Sequence, residues 1–288
     1  MELVSSTQML EDARKYKYGV AAINFHSLEM LQPIVGAAEE CRAPIILQTT
    51  EGTVRHLGLE YIVALVRVAA AKSKIPMALH LDHCRDFNVI VRAVRAGYTS
   101  VMIDASLDSF EDNVRKTKEV VRMARAVNVN VEAEIGKVGG VEDELAVDEK
   151  DAFLADPGEC EEFVRRTGVS TLAPAVGTAH GMYKGLPGID YPRIREIASR
   201  VNIPLVLHGG SGIPDEQLKL CVASGMAKIN VATEIRNTFT DAVRQFFTEQ
   251  PQQKDPRYYM AYAREAVQNL VKKKINICGG PEARAQYQ

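Results

Sequence analysis

The strongest constraint on the fold is an eightfold alternation of short apolar runs with longer amphipathic segments. The apolar runs are rich in β-branched residues and carry no regular polar face, which predicts strands buried on both sides, as in parallel sheets covered by helices. The predicted strands span residues 19–24, 44–49, 76–82, 100–104, 129–135, 171–176, 204–208 and 228–231. A helical pattern follows each of them. Such a chain favours a closed parallel barrel over an open doubly wound sheet.

The length of the chain agrees with this reading. At 288 residues it fits one α/β domain, a (β/α)8 TIM barrel over residues 1–288. Two additions are predicted: a long loop after strand five, at 136–157, and an extra C-terminal helix, at 256–274. The loop is acidic and contains glycine, which suits a mobile element over a site, with a disordered insertion as the alternative. The helix is interpreted as a packing or subunit-contact element.

The composition excludes several classes of protein. Apolar residues make up 46% of the chain, charged residues 25%, and the net charge is -2, as in a soluble globular enzyme. No long basic run is present to attract nucleic acid. The first 19 residues contain acidic side chains and no unbroken apolar core, so neither a signal peptide nor a membrane span is predicted. We therefore expect a cytoplasmic protein.

Polar side chains occupy the carboxyl ends of the predicted strands, where barrel enzymes have their active sites. They are Asn24, Gln48, Thr49, Thr50, Asp82, His83, Asp104, Glu132, Glu134, His180, His208, Asn230 and Thr233. A single polar residue at a strand end is usually a cap or a turn former. The convergence of so many on one barrel mouth predicts an active site.

Three of these side chains indicate a metal. His83, His180 and His208 come from three different strands, as a catalytic metal site with an open position requires. Neutral imidazoles favour Zn²⁺ over Mg²⁺, while Co²⁺ and Fe²⁺ remain open. His80 lies three residues before His83, so it should leave the opposite face of the strand unless the chain turns. We interpret His80 as a supporting or core residue.

Two carboxyl groups are candidates for acid/base work. Asp82 directly precedes a predicted metal ligand and can reach the cavity. Glu142 lies in the sequence GGVED of the long loop and could enter the site when the loop closes, although a solvated surface charge is an equal alternative.

The segments HGGSG after strand seven and NVAT after strand eight suggest an anion site. Both offer small residues, backbone N–H groups and hydroxyls where barrels commonly hold a phosphate. No GxxxxGK[ST] sequence is present, which argues against a nucleoside triphosphate.

Long motifs in order along the whole chain resemble the class II, metal-dependent ketose-bisphosphate aldolases, most closely the tagatose-1,6-bisphosphate branch. The motifs are INFHSLEMLQPIV, ALHLDH, SVMIDAS, VEAEIGKVGGVED, VGTAHGMYKG, PLVLHGGSG, KINVATE, DPRYYM and KINICG. The resemblance implies that His83, His180 and His208 bind one catalytic Zn²⁺. It also implies that Asp104 and Glu134 occupy positions that hold a second or displaced divalent ion.

The same resemblance implies roles for the other residues. Asp82 would handle the proton of the C4 hydroxyl, and Glu142 would move the proton at C3 of the glycerone phosphate half. The implied substrate, phosphate and monovalent-cation (Na⁺ or K⁺) environment comprises Asn24, Thr50, Gly181, Lys184, Gly209, Gly210, Ser211, Asn230, Val231, Ala232 and Thr233. Arg257 matches an arginine that reaches the distal phosphate of a neighbouring subunit, which implies a homodimer or homotetramer.

The expected reaction is reversible cleavage of D-tagatose 1,6-bisphosphate to glycerone phosphate and D-glyceraldehyde 3-phosphate. Ala232 stands where fructose-bisphosphate members often carry Asp or Asn, which favours the tagatose type and leaves fructose 1,6-bisphosphate, or another phosphorylated ketose, as the alternative. A Schiff-base aldolase is a weaker rival, because Lys228 begins strand eight at the end far from the mouth. A non-catalytic partner subunit and a metal hydrolase are further rivals; an accessory subunit could also pair with an active chain.

Overall fold

A computed structural model describes residues 2–142, 145–147, 153–183 and 185–285. Its strands are β1 Val20–Asn24, β2 Ile45–Thr50, β3 Met77–Cys84, β4 Ser100–Ile103, β5 Asn130–Ile135, β6 Gly139–Glu142, β7 Leu145–Val147, β8 Thr171–Pro174, β9 Ala179–His180, β10 Leu205–Leu207 and β11 Met226–Val231. Its helices are α1 Ser6–Tyr16, α2 Leu28–Cys41, α3 Glu51–Leu57, α4 Leu59–Lys72, α5 Phe87–Ala96, α6 Phe110–Arg125, α7 Pro157–Thr167, α8 Tyr191–Arg200, α9 Asp215–Ser224, α10 Thr233–Glu249 and α11 Pro256–Ala285.

Eight parallel strands close into a barrel in the order β1-β11-β10-β8-β5-β4-β3-β2. The predicted (β/α)8 barrel is therefore confirmed, and each barrel strand overlaps its predicted run. The main apolar core lies between the outer faces of the strands and the surrounding helices, with Ile23, Leu47, Leu79 and Leu81 fully buried. The inner faces of the strands carry polar side chains toward their carboxyl ends, such as Asn24, Gln48 and Asp82, and apolar side chains at their amino-terminal ends.

Most helices begin at a polar cap. The capping side chains, each accepting a backbone N–H of the first turn, belong to Ser5, Ser27, Thr50, Asp86, Ser109, Asp156 and Asp190. These residues are good caps because a short side-chain oxygen satisfies an N–H that has no partner within the helix. α10 differs, since its cap position is Ala232, which has no polar side chain.

Two helices, α1 and α3, have no counterpart in the sequence prediction. α1 closes the amino-terminal end of the barrel, where Met9 and Leu10 pack in a small core with Val20 and Ala227. Thr7 on the same helix accepts a hydrogen bond from Asn130 Nδ2 at 3.3 Å. α1 therefore covers the end of the barrel opposite the carboxyl ends of the strands.

The long loop after β5 contains secondary structure that the sequence prediction lacks. β6 pairs antiparallel with β7 and parallel with β9, so that Gly140 lies opposite His180. Gly140 has a φ of 98°, and a Cβ there would collide with the carbonyl oxygen of His180. Within the described residues, the loop is thus attached to the segment that carries a predicted metal ligand.

The C-terminal helix extends beyond its predicted end and packs along α2 and α10. Its buried face includes Val267, Val271 and Ile275. The carbonyl of Cys278 accepts the N–H of Gly19 at 2.7 Å, which ties the helix to the start of β1. No helix in the described part of the chain is long and apolar enough to cross a membrane.

Candidate active site and metal centre

Three histidine rings meet at the carboxyl end of the barrel. His83 is 4.5 Å from His208 and 4.8 Å from His180 between ring centroids, and the remaining pair is 5.9 Å apart. One nitrogen of each ring lies within 4.8 Å of the other two. The structure therefore brings together the three residues that the sequence predicts as metal ligands.

A distortion in β3 turns His83 toward the cavity. His83 has a φ of 48°, and the pairing of β3 with β4 shifts register between Leu81 and Cys84. A left-handed residue inside a strand interrupts the alternation of side chains, so Asp82 and His83 both face the interior. His80 and His83 therefore both face the barrel interior, because the chain turns at His83, the exception that the sequence prediction allowed.

His80 lies inside the barrel below the triad. Its Nδ1 is 2.6 Å from Ser100 Oγ, and burial, with help from Lys228, lowers its pKa to about 3. His80 is thus a neutral core residue. It also lies near Asp82 and Glu132 in a second group of potential donor atoms, but Lys228 Nζ already binds Glu132 there at 2.7 Å.

Carboxylates orient two of the three histidines. His83 Nδ1 is 2.9 Å from Asp104 Oδ2, and Asp104 in turn accepts a hydrogen bond from the Ser106 hydroxyl at 2.8 Å. His208 Nε2 is 2.9 Å from Glu132 Oε1. Such partners fix the tautomer and the ring plane of a metal-binding imidazole. The free donor atoms are then His83 Nε2 and His208 Nδ1.

Glu132 and Lys228 are functional candidates that the sequence reading missed. Glu132 was placed at a strand end without a role, and Lys228 at the far end of its strand; in the structure both are buried inside the barrel and joined at 2.7 Å. The signal for Glu132 was present, since VEAEI puts two glutamates two residues apart and therefore on one face of β5. The Lys228 ammonium is held by a carboxylate, which does not suit a Schiff-base nucleophile.

The donor set fits a divalent metal ion. Glu134 Oε2 and His208 Nδ1 are 3.1 Å apart and buried, yet neither has a hydrogen-bond partner. A divalent cation beside the two atoms would satisfy both of them, and in its absence a proton on His208 Nδ1 does so. Asp104, the other residue predicted for a second metal position, lies 2.9 Å from His83 Nδ1.

The charge state of the triad depends on these neighbours. Burial opposes protonation of His83, but Asp82 and the hydrogen bond to Asp104 raise its pKa well above the ordinary value. Burial and His83 also disfavour a proton on His208, yet Glu132 and Glu134 raise its pKa to about 9. Burial and both other rings hold the pKa of His180 well below its usual range. A metal ion would therefore displace protons from the centre.

Asp82 lies beside the triad and is held by two amides. Its carboxylate accepts hydrogen bonds from Asn24 Nδ2 at 3.0 Å and Asn230 Nδ2 at 3.2 Å. Gln48 Nε2 in turn donates to Asn24 Oδ1 at 2.8 Å. Although burial raises the pKa of Asp82, the neighbouring His83 and Lys228 lower it further than burial raises it. The carboxylate is therefore ionised and can act as a base.

One cavity joins Asp82, two of the three histidines and the predicted phosphate loops. All nine lining residues are among those predicted from the sequence, namely Asn24, Asp82, His83, His180, Gly181, Gly209, Ser211, Asn230 and Ala232. Gly209 has a φ of 69°, and a Cβ there would collide with the carbonyl of Ala179. The Gly209 carbonyl accepts a hydrogen bond from the Tyr183 hydroxyl at 2.8 Å. Tyr183 therefore supports the glycine-rich loop, a role that the sequence did not predict.

Ser211 connects the glycine-rich loop to α10. Its Oγ accepts the N–H groups of Ala232 and Glu234, both at 3.2 Å, and so caps the helix that Ala232 cannot cap. Gly210 N–H donates to the carbonyl of Asn230 at 3.0 Å. The ends of β10 and β11 are therefore locked to each other.

The remaining predicted residues lie in different surroundings. Thr50 caps α3 and contacts Thr53, and Thr50 is paired in register with Asp82. Val231 is buried at the end of β11, and Thr233 begins α10. Arg257 is 87% exposed and forms an ion pair with Asp255 at 2.6 Å, outside the cavity. Lys184 and the side chain of Glu142 lie outside the described residues; the backbone of Glu142 belongs to β6.

A buried three-histidine group beside an ionised carboxylate, at the carboxyl end of a (β/α)8 barrel, defines a metal-using barrel enzyme. The model of the family "Fructose-bisphosphate aldolase class-II" matches residues 4–282. The chain belongs to this family. As a class II aldolase it is a lyase that performs metal-dependent aldol cleavage of a ketose bisphosphate.

Solved structures agree with the family assignment. The YdjI aldolase from Escherichia coli K12 is 32% identical, with a TM-score of 0.86, over 96% of this chain and 97% of that one. A candidate fructose-1,6-bisphosphate aldolase from Coccidioides immitis is 30% identical, with a TM-score of 0.87, over 97% of this chain and 96% of that one. A fructose-bisphosphate aldolase from Campylobacter jejuni, at 19% identity and a TM-score of 0.81 over 96% of this chain and 95% of that one, shares the fold.

Proposed function

We propose that the protein cleaves D-tagatose 1,6-bisphosphate reversibly to glycerone phosphate and D-glyceraldehyde 3-phosphate. The observation that carries the proposal is one cavity lined by His83, His180, Asp82 and residues of the two predicted phosphate loops, with the His208 ring against the other two rings. An aldol cleavage needs electrophilic activation of a carbonyl, a base for a hydroxyl and an anchor for the phosphorylated half. The cavity offers a candidate for each.

The metal would be Zn²⁺, held by His83, His180 and His208. When bound, it would supply a Lewis acid that polarises the substrate carbonyl. Its support is the donor chemistry: imidazole nitrogens favour zinc over magnesium, and Asp104 and Glu132 hold two of the rings as carboxylates hold zinc-binding imidazoles elsewhere. Asp104 and Glu134 are the candidates for a second or displaced divalent ion. A monovalent cation near the phosphate loop remains part of the proposal.

Asp82 is the proposed base for the C4 hydroxyl. In the cleavage direction it takes the hydroxyl proton while the C3–C4 bond breaks, the C4 oxygen becomes the aldehyde oxygen, and the electron pair of the bond passes to the glycerone phosphate half. Its ionised state and its two amide donors support this role, because they hold one carboxylate in place inside a buried site. Glu142 would return a proton to C3, and the pairing of β6 with β9 supports its approach.

The phosphate on C1 would bind at loop 209–212 and the start of α10. The Ser211 hydroxyl, which lines the cavity, and the amino-terminal end of a 17-residue helix support an anion at this place. Gly181, Lys184 and Thr233 would complete the subsite. Arg257 of a neighbouring copy, in a homodimer or homotetramer, would bind the distal phosphate. The exposed position of Arg257 at the start of α11 supports this role.

The choice of epimer rests on Ala232, whose small side chain lines the cavity. The alternative substrate is D-fructose 1,6-bisphosphate, the substrate for which the 30% identical Coccidioides immitis protein is named. Turnover of the purified, zinc-loaded protein should be measured with both hexulose bisphosphates by following glycerone phosphate. We expect the tagatose epimer to give the higher kcat/KM, and a strong preference for fructose would contradict the proposal.

Two controls separate the rivals. Activity should disappear with a chelator and return with Zn²⁺, whereas a Schiff-base enzyme would resist the chelator and be trapped by borohydride with substrate. An Ala232→Asp variant tests the specificity argument, because it restores the side chain that fructose-type members often carry. Its ratio of the two kcat/KM values should move toward fructose while zinc content stays at that of the parent protein.

A further inference from the structure

A buried lysine near the phosphate loop has no part in the proposed reaction. Lys274 on α11 is only 2% exposed, and its Nζ lies 2.7 Å from Glu234 Oε2. Burying an ammonium group is costly unless it is paired. The ammonium group of Lys274, on the last helix, is therefore paired with the Glu234 carboxylate at the start of α10.

Glu234 holds the glycine-rich loop at two points. The same carboxylate oxygen accepts the Gly212 N–H at 2.9 Å, and the Glu234 N–H donates to Ser211 Oγ at 3.2 Å. Gly212 has a φ of 74°, so the loop closes in a conformation that depends on such supports. Lys274 thus reaches loop 209–212 through one carboxylate.

The negative charge of the Glu234 carboxylate would also oppose the binding of a phosphate at this loop. A phosphate dianion bound at loop 209–212 would be repelled by the negative charge of Glu234, whose side chain is only 22% exposed, and this repulsion is stronger than between charges in open water. Lys274 places one positive charge against Glu234 Oε2 and neutralises the negative charge of the carboxylate. The carboxylate can then shape the loop without opposing the anion.

We propose that Lys274 is a positioning residue that neutralises Glu234 and so allows loop 209–212 to bind the substrate phosphate. The inference rests on the proposed function in one respect, the placement of a phosphate at this loop. It adds a role for α11 in the active site. Lys274 itself does not touch the substrate.

The test is the affinity of the zinc-loaded protein for inorganic phosphate, measured by calorimetry without turnover. Lys274→Met should weaken phosphate binding about tenfold, the effect of one uncompensated charge at short range. In the cleavage assay KM should rise by a similar factor while kcat changes less than twofold. Lys273→Met is the matched control: Lys273 is the preceding residue, 58% exposed, and pairs with Asp215 at 2.9 Å, so phosphate binding should stay unchanged.

Glu234→Gln provides a test of opposite sign. The amide oxygen still accepts the Gly212 N–H, but the negative charge is gone and Lys274 remains, so phosphate should bind at least as tightly as in the parent protein. The double variant Lys274→Met/Glu234→Gln should recover most of the loss caused by Lys274→Met alone. A purely structural role for the pair predicts weaker binding in all three variants.

The outcomes separate this inference from the proposed function. Unchanged phosphate affinity in Lys274→Met, or weaker affinity in Glu234→Gln, overturns the inference whatever the substrate is. The predicted pattern of phosphate affinities supports it even if neither hexulose bisphosphate is cleaved, in which case only the proposed function fails. If Lys274→Met does not fold, the sign of the Glu234→Gln effect decides.

Discussion

The buried ion pair between Lys228 and Glu132 gives the sharpest test of how the barrel interior supports the metal centre. Lys228 Nζ is 2.7 Å from one Glu132 oxygen, while the other oxygen is 2.9 Å from His208 Nε2. Both side chains of the ion pair are 1% exposed. Replacing Lys228 by methionine would leave a buried carboxylate with a single neutral partner once His208 is bound to metal.

The expected loss is large. Removing one partner of a buried ion pair costs about 3–5 kcal/mol, because the remaining charge has no compensation. For a domain of this size, about 2–4 °C per kcal/mol corresponds to a fall in Tm of about 6–20 °C. Burial raises the pKa of Glu132, but Lys228 and His80 hold it far below the ordinary value. Without Lys228 this carboxyl will take up a proton more easily, so the deficit should be largest near pH 8 and shrink as the pH falls below about 5.

Urea unfolding and thermal melts of the zinc-loaded protein, at the same saturating zinc concentration for every variant, measure the deficit. The reference variant is Lys219→Met, which removes an exposed ion pair with Glu216 and should leave stability unchanged within error. A double variant, Lys228→Met with Glu132→Gln, should regain roughly half of the lost stability. Its zinc affinity should nevertheless stay about 10–100-fold low, because His208 has lost its charged acceptor. A deficit under about 1 kcal/mol for Lys228→Met would refute the reasoning.

Other predictions concern the metal, the base and the loop. His180→Ala should abolish stoichiometric zinc binding, as measured by metal analysis after dialysis. Asp82→Asn should lower kcat about 10²–10⁴-fold with zinc content unchanged, and an equal kcat would exclude the acid/base role. Because the pKa of His208 is raised to about 9, zinc must displace its proton, so the zinc affinity of the metal-free protein should rise at least about tenfold per pH unit between pH 7 and 9 in a competition titration. Gly140→Ala, at a φ of 98° against the His180 carbonyl, should lower Tm and kcat together.

Much of the fold was predictable because its signals are local. Apolar runs and helical periods recur within short windows, and eight of them in one chain leave few alternatives to a closed barrel. The histidines at three strand ends could also be predicted, since every parallel strand of a barrel ends at the same mouth. For loop 136–157 the sequence predicted the position and the length. It did not predict strand β6, because the pairing of β6 with β9 depends on a distant segment.

The sequence by itself determined the barrel, the family and the residues that line the cavity, because the order of strands and motifs along the chain does not depend on how the side chains pack. Only the tertiary structure decided how those residues face one another. The turn at His83 reverses the side-chain alternation of β3, and barrel closure brings Lys228 to Glu132 across 96 residues of sequence. The reach of Lys274 to Glu234 likewise depends on where α11 packs. Such contacts depend on strand register, strand distortion and helix packing. These join residues that are far apart in the sequence, so no local sequence pattern indicates them.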